Sequence, residues 1–246
     1  MKIASLEERT LKSLSNVIKS NRVKRLYVLF SGGRDSLVVL HLAYRVRKFL
    51  KVPIIAVYVS TTVATPGNLK YVKQVCNKYH IKLKVVKPYP NYFTLVKRWG
   101  FPTSHRRWCC YHLKIKPLKR YFGTQPRNGL IIDGIRRDES LKRHGFPKID
   151  FHKHFKLLCY HPIFDWSKED VLRYIEQHSL PENPLYQILP RAIDCWCTAF
   201  KSVKQFKLLK MYWPELFKKY VEAEAKLRSK GSALFKNGRR VYLSNL

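Results

Sequence analysis

A doubly wound α/β fold with a mostly parallel sheet is predicted for this chain of 246 residues, on three observations. Apolar runs of strand length alternate with stretches of helical spacing. A glycine-bearing turn joins the first such run to a helix. The turns that carry charged or reactive residues follow the ends of strands, where open α/β sheets collect their ligands.

Taken in order, Ile3, Leu6, Leu11, Leu14, Val17 and Ile18 stand close to helical spacing, so an amphipathic helix over residues 3 to 20 precedes the first strand. Leu26 to Phe30 is the first strand, Ser31-Gly32-Gly33-Arg34-Asp35-Ser36 the turn, and Leu37 to Tyr44 the helix after it. Lys51 to Val59 reads as a second buried strand, ended by Ser60-Thr61-Thr62 and followed by a helix from Gly67 to Tyr79. Ile81 to Val86 alternates apolar with basic residues, which suits a strand nearer the sheet edge. Leu130 to Asp133 is a short buried strand, and Trp166 to His178 a helix capped by Asp165 or Ser167. Residues 201 to 230 are helical in pattern and rich in lysine, with an apolar stripe (Phe206, Leu209, Trp213, Leu216, Phe217, Tyr220) interrupted at Pro214. The expected organisation is a nucleotide-binding domain over 1–200, including the N-terminal helix, with a basic helical extension over 201–246 packed on it.

Composition narrows the function classes. Lys and Arg number 49 against 16 Asp and Glu, a formal net charge of +33, while 46% of residues are hydrophobic. The apolar fraction supports a packed core, and the charge excess points to a polyanion such as RNA as a partner. No run of about 18 apolar residues and no signal-peptide core are present, so a soluble, cytoplasmic protein without a membrane span is expected. Six cysteines without a secretory signal read as thiols or metal ligands rather than disulfides.

Two stretches carry chemistry. In the first turn, Gly32 and Gly33 let the backbone approach phosphate oxygens, Ser31 and Ser36 add hydroxyl donors, and the following helix adds its positive end. The spacing is not that of a Walker A loop. In Arg106-Arg107-Trp108-Cys109-Cys110, adjacent thiols flanked by cations suit ligation or redox chemistry, or a buried pair at a helix start. Gly134-Ile-Arg136-Arg137-Asp-Glu-Ser140 follows a strand, placing two guanidinium groups at the same sheet edge as the glycine loop and Thr61, where they match phosphate or sulfate oxygens.

The order of these motifs, with Pro162-x-x-Asp165-Trp166, Asn183-Pro-Leu-Tyr186 and Asp194-Cys195-Trp196-Cys197, resembles the phosphoadenosine phosphosulfate (PAPS) reductase family of the PP-loop, or adenine nucleotide α-hydrolase-like, superfamily. The resemblance runs from Leu26 to about Phe200. It implies the HUP-type fold and binding of ATP or an adenylyl sulfate by Ser31, Gly32, Gly33, Asp35, Ser36, Thr61 and Gly134. Asp35, Arg136 and Arg137 would be catalytic, and Mg²⁺ would sit at Asp35. It also implies that Cys109, Cys110, Cys195 and Cys197 hold a four-iron, four-sulfur cluster. The second pair here is Cys-x-Cys where the family has Cys-x-x-Cys, with Thr198 following, so a cluster, a tetrahedral zinc and no metal all stay open, the cluster preferred.

Reductases of the family attack sulfur with a C-terminal cysteine, and no cysteine follows Cys197; Lys236, Arg239, Arg240 and Tyr242 stand there instead. Cleavage of ATP between its α and β phosphates to adenylate a substrate, with RNA thiolation as one destination, is therefore set ahead of reduction of an adenylyl sulfate. A non-catalytic nucleotide- or RNA-binding module is the third reading. The acceptor and the oligomeric state are left open.

Overall fold

The structure is a computed structural model that describes residues 3–189, 194–228, 234–236 and 239–246. The expected turn at Asn237-Gly238 and Lys230 lie outside the described residues, as do the side chains of Arg228, Lys236, Arg239 and Arg240. The chain divides into two compact units. The first comprises Met1–Tyr58, Asn68–Val86 and Leu118–Pro184; the second comprises Val59–Gly67, Lys87–Pro117 and Leu185–Leu246.

The first unit is built on a six-stranded sheet of β1 (Arg25–Leu29), β2 (Ile54–Val59), β3 (Lys82–Val86), β4 (Gly129–Ile132), β5 (Ile149–His152) and β6 (Leu157–Tyr160), in the order β3-β2-β1-β4-β6-β5. β1 pairs in parallel with both β2 and β4, and β4 with β6, while β5 closes the edge as an antiparallel hairpin with β6. The strand order reverses at β1, so the loop after β1 opens at the switch point where such sheets bind ligands. The alternating strand β3 is indeed at an edge. The β5–β6 hairpin is not foreshadowed by the apolar pattern, because Ile149, Asp150 and Phe151 are all exposed and no buried run marks β5.

Leu26, Val28, Leu130 and Ile132 point to one face, into a buried cluster shared with α1 (Ile3–Ser20), α2 (Arg34–Leu50), α3 (Asn68–Lys78) and α7 (Lys168–Gln177). Tyr27 points to the other face and meets Phe122 of α6 (Lys116–Gly123) edge-on at 5.3 Å between ring centroids. This alternation is the period of two that a sheet covered on both faces requires. α7 starts where a capping box predicts: the Ser167 hydroxyl accepts the Asp170 N–H, and the Asp170 carboxylate accepts the Ser167 N–H.

The second unit contains α4 (Tyr92–Trp99), a helical turn α5 (Trp108–Cys110), α8 (Val203–Tyr212) and α9 (Pro214–Arg228). Pro214 opens α9 at its first position, where a missing N–H costs nothing, and Trp213 ends α8. The stripe of Phe206, Leu209, Phe217 and Tyr220 packs with Tyr92, Leu95 and Val96 of α4 in one buried cluster. The tail forms a two-stranded antiparallel ladder of β7 (Leu234–Lys236) and β8 (Arg239–Val241). Glu224, 1% exposed, accepts the backbone N–H groups of Leu243 and Ser244, fastening that end to α9. No helix among the described residues is long and apolar enough to cross a membrane.

Between α2 and α7, the buried His41 Nδ1 lies 2.9 Å from the Tyr174 hydroxyl, and burial pulls the His41 pKa down to about 4. The fold therefore holds fewer protons than the unfolded chain between about pH 6.5 and pH 4, and stability falls as pH drops through that window. Urea midpoints measured across it are expected to decline, and His41→Phe to remove up to one proton of that slope, about 1.4 kcal/mol per pH unit.

Candidate functional site

The glycine loop is bent by its own sequence and held by two amides. Gly32 has φ +86°, and a Cβ placed there would lie 2.3 Å from Asn68 Oδ1, so both backbone and neighbour demand glycine. Asn68 Nδ2 donates to the Ser31 carbonyl at 2.9 Å, and Asn183 Nδ2 donates to the Gly32 carbonyl at 3.1 Å and to Asn68 Oδ1 at 2.8 Å. These carbonyls are thereby turned inward, toward the amides. Neither asparagine is assigned a role from sequence, although Asn183 opens the Asn-Pro-Leu-Tyr motif. Both are buried amides, Asn68 at the start of a helix and Asn183 just before a helical turn.

At the start of α2, Gly33 is the N-cap and no side chain caps the first turn. The Ser36 hydroxyl donates to the Gly33 carbonyl at 2.9 Å and stands 3.2 Å from Ser31 Oγ, so the two serines flank the loop. With glycine at the N-cap, no cap side chain competes for the first N–H groups of α2, and a helix end of this kind is suited to take an anion.

The loop after β4 closes on the same point. A Cβ on Gly134 would sit 2.8 Å from the backbone carbon of Asp35, so glycine alone permits this approach. Arg136, 6% exposed, donates from Nε to Asp35 Oδ1 at 2.6 Å and from Nη1 to Asp138. Burial opposes its charge, but the two carboxylates outweigh that and raise its pKa. Arg137 is half exposed, lies 5.0 Å over the Phe164 ring and pairs with Asp165 at 2.9 Å. Ser31, Gly32, Gly33, Asp35, Ser36, Gly134 and Arg136 therefore come together in the first unit, while the Arg137 side chain turns instead to Phe164 and Asp165.

Thr61 belongs to the second unit, with all four expected ligand cysteines. Thr61, Cys109, Cys110, Cys195 and Cys197 line one cavity with Val63, Leu113 and Lys114, and the space between them is about 10 Å³. The thiols form a chain of hydrogen bonds linking Cys110 to Cys109, Cys109 to Cys197 and Cys197 to Cys195. The Cys-x-Cys spacing thus delivers both of its thiols, with Trp196 fully buried between them. Thr198 faces elsewhere, donating to the Pro102 carbonyl at 2.8 Å. After α5 the helix widens into a π turn over Tyr111–Ile115, a distortion that recurs at functional sites and that sequence does not announce.

The thiols are electrostatically unequal. The hydrogen bond from Cys109 draws the Cys110 thiol down to about 7, and the same bond pushes Cys109 up to about 12. Cys195 and Cys197 are raised, each first by a thiol neighbour and then by burial. Lys114 pairs with Asp194 at 2.5 Å at the cavity rim, and Lys201, 2% exposed, lies 4.5 Å over the Trp196 ring. Four adjacent thiolates repel one another unless a cation joins them. As a donor set, four cysteines beside two lysines fit a thiolate-bound iron–sulfur cluster or zinc. Among the described residues no three ligating side chains stand in the arrangement that holds a metal ion, so either group would require the thiols to rearrange.

A glycine-loop nucleotide fold of the PP-loop type is the class that this sheet and loop define. A family model described as the phosphoadenosine phosphosulfate reductase domain matches residues 25–200, and the chain belongs to that family. An uncharacterized protein of Methanocaldococcus jannaschii is 30% identical over 227 residues, covering 90% of this chain and 53% of that protein. The adenosine 5'-phosphosulfate reductase of Bacillus mycoides is 28% identical over 173 residues, 67% of this chain and 69% of that enzyme. The chain spans about half the length of the first curated relatives it matches. Among solved structures, the U34-tRNA thiolase of Methanococcus maripaludis with its [4Fe-4S] cluster superposes with a TM-score of 0.58 at 19% identity, over 99% of this chain and 84% of that one. At that identity the likeness shows the fold.

Two measurements follow from this geometry. Gly134→Ala is expected to destabilise the protein by about 1–3 kcal/mol in denaturant unfolding, the usual cost of forcing a methyl group into packed backbone. In metal-free protein, alkylation mapped by mass spectrometry is expected to label Cys110 ahead of the other three thiols, at a rate that rises with pH through about 7 and then levels.

Proposed function

We propose that the chain binds ATP at the glycine loop and cleaves it between the α and β phosphates, adenylating an acceptor and releasing pyrophosphate, with sulfur transfer to RNA as the destination. The observation that carries this reading is the uncapped start of α2 behind a glycine loop, with Arg136 fixed beside it by Asp35. An acceptor oxygen attacks the α phosphorus, and the bond to the bridging oxygen of the β phosphate breaks. Ser31, Gly32, Gly33 and Ser36 hold the leaving pyrophosphate by N–H and O–H donors. Arg136 and Arg137 offset the charge that develops on it, and such preorganised cations contribute most where water is excluded. Asp35 would share its carboxylate between Arg136 and the magnesium ion that accompanies ATP.

Support for adenylation over reduction comes from the cysteines. Four of the chain's six thiols line the cavity, while Cys76 and Cys159 are buried in the first unit, where burial pushes their pKa values upward. Reduction of an activated sulfate would draw its attacking thiolate from this cavity set or from another chain. Residues Cys109, Cys110, Cys195 and Cys197 would instead hold the cluster or zinc there, which when bound supplies a site for a sulfur atom. The family membership and the likeness to an adenosine 5'-phosphosulfate reductase favour the second reading, reduction of an adenylyl sulfate.

Anaerobic incubation with ATP and cellular RNA is expected to release pyrophosphate, and Arg136→Lys to lower that rate by about 100-fold or more, the scale for losing one preorganised donor. Sulfite released from adenylyl sulfate in the presence of a thiol, with no pyrophosphate from ATP, would replace this reading with the reductase.

A further inference from the structure

The segment 141–156 in the first unit reaches the candidate nucleotide site only through Arg143, which lies in the field of Asp35 and Arg136; beyond that residue its surface combines exposed apolar side chains with cations. It carries five Lys or Arg against one Asp, and interleaves them with Phe146, Phe151 and Phe155. Leu141 is 85% exposed, Phe151 60%, Phe146 45% and Ile149 40%, so four large apolar side chains face solvent between residues 141 and 151. Strand β5 is the sheet's outer edge, and Ile149 and Phe151 pair in register with Tyr160 and Leu158 of β6. They therefore continue the sheet face that α1 covers over β6, where Ser13 of α1 meets the Tyr160 hydroxyl at 2.7 Å, out to an edge that solvent reaches. Lys153, His154 and Lys156, all exposed, ring the hairpin turn.

Exposed aromatic rings on a strand, bordered by cations, are what unpaired bases stack on while their phosphates are tracked. An apolar edge alone would suit a second protein equally, but the charge decides: Arg143 and Lys148 are paired with Glu139 and Asp165, while the exposed Lys153 and Lys156 at the turn, on a chain of net +33, complement a polyanion and repel a copy of itself. The start of the segment also borders a recess of about 270 Å³, lined by His144, Phe164, Trp166 and Arg137, large enough for a single base. Lys148, at the foot of β5, pairs with Asp165 on the wall of the same recess at 2.8 Å.

We propose that the edge hairpin of segment 141–156 is a binding surface for single-stranded RNA, with a base stacked on Phe151 and phosphates held by Lys153 and Lys156. The proposal rests on the reading that the acceptor is RNA, and it names where that RNA is gripped.

The test is fluorescence anisotropy of the full chain with a labelled 12-nucleotide single-stranded RNA, across a salt series. Phe151→Ala is expected to weaken binding about ten-fold, within the range for losing one stacked base, while Phe151→Tyr restores it to within about two-fold. Changing Lys153 and Lys156 together to Gln is expected to flatten the slope of log affinity against log salt by about 1.4, from about 0.7 per phosphate contact on a single strand. Unchanged affinity in Phe151→Ala overturns the proposal. So does an equal loss toward heparin, which has charge and no bases, or sedimentation showing that Phe151→Ala turns a wild-type dimer into a monomer. Pyrophosphate release by the wild-type protein is read separately. Its absence would remove the adenylation reading and leave the anisotropy result to decide the surface by itself.

Discussion

The contact between the β4 loop and the first turn of α2 is the constraint on which the candidate site depends. With no side chain at Gly134, the two backbones meet closely enough for Arg136 to reach Asp35. That pair, with Asp138 as a second carboxylate, keeps a guanidinium charged where burial alone would oppose it. Losing one partner from such a pair is costly because it leaves the other charge poorly solvated. The sheet order matters for the same reason: β1 and β4 are neighbours, so the loops that follow them open side by side.

The second unit applies a different physics to its cysteines. There the thiols are packed against one another and against aromatic rings, with Trp196 and Tyr220 fully buried and the Tyr220 hydroxyl donating to the Trp196 carbonyl. One thiol is acidified at the expense of its neighbour. Such an arrangement favours a group that accepts several thiolates at once over stepwise ionisation, because each further negative charge raises the cost of the next. Lys114 and Lys201 lie at the margin of that charge, and neither is predicted from the sequence pattern.

Much of the first unit was legible because its signals are local. The helix expected over residues 3 to 20 is Ile3–Ser20, and the strands expected near Leu26, Lys51, Ile81 and Leu130 all occur, since each is a buried run bounded by turn residues. The β5–β6 hairpin escaped because an edge strand exposed on both faces carries no buried pattern. At the site, the glycine loop and the arginine pair were legible from residue type at a strand end. The asparagines were not, because Asn68 and Asn183 act through backbone carbonyls that only folding brings near. The C-terminal helices follow from the apolar stripe at helical spacing and its break at Pro214. That α9 packs with α4 is a long-range pairing which periodicity cannot encode.

The bare N-cap of α2 has an energetic meaning of its own. A Ser, Thr, Asp or Asn at such a position ordinarily stabilises a helix by about 1 kcal/mol relative to alanine, and glycine gives up only roughly a few tenths of that, so Gly33 leaves the cap without a side chain at little cost. An anion bound at that position would accept N–H groups at the start of α2, so its binding and the completion of the helix end would draw on a single free energy. A capping side chain would compete with such an anion for the same donors; glycine, with no side chain, does not.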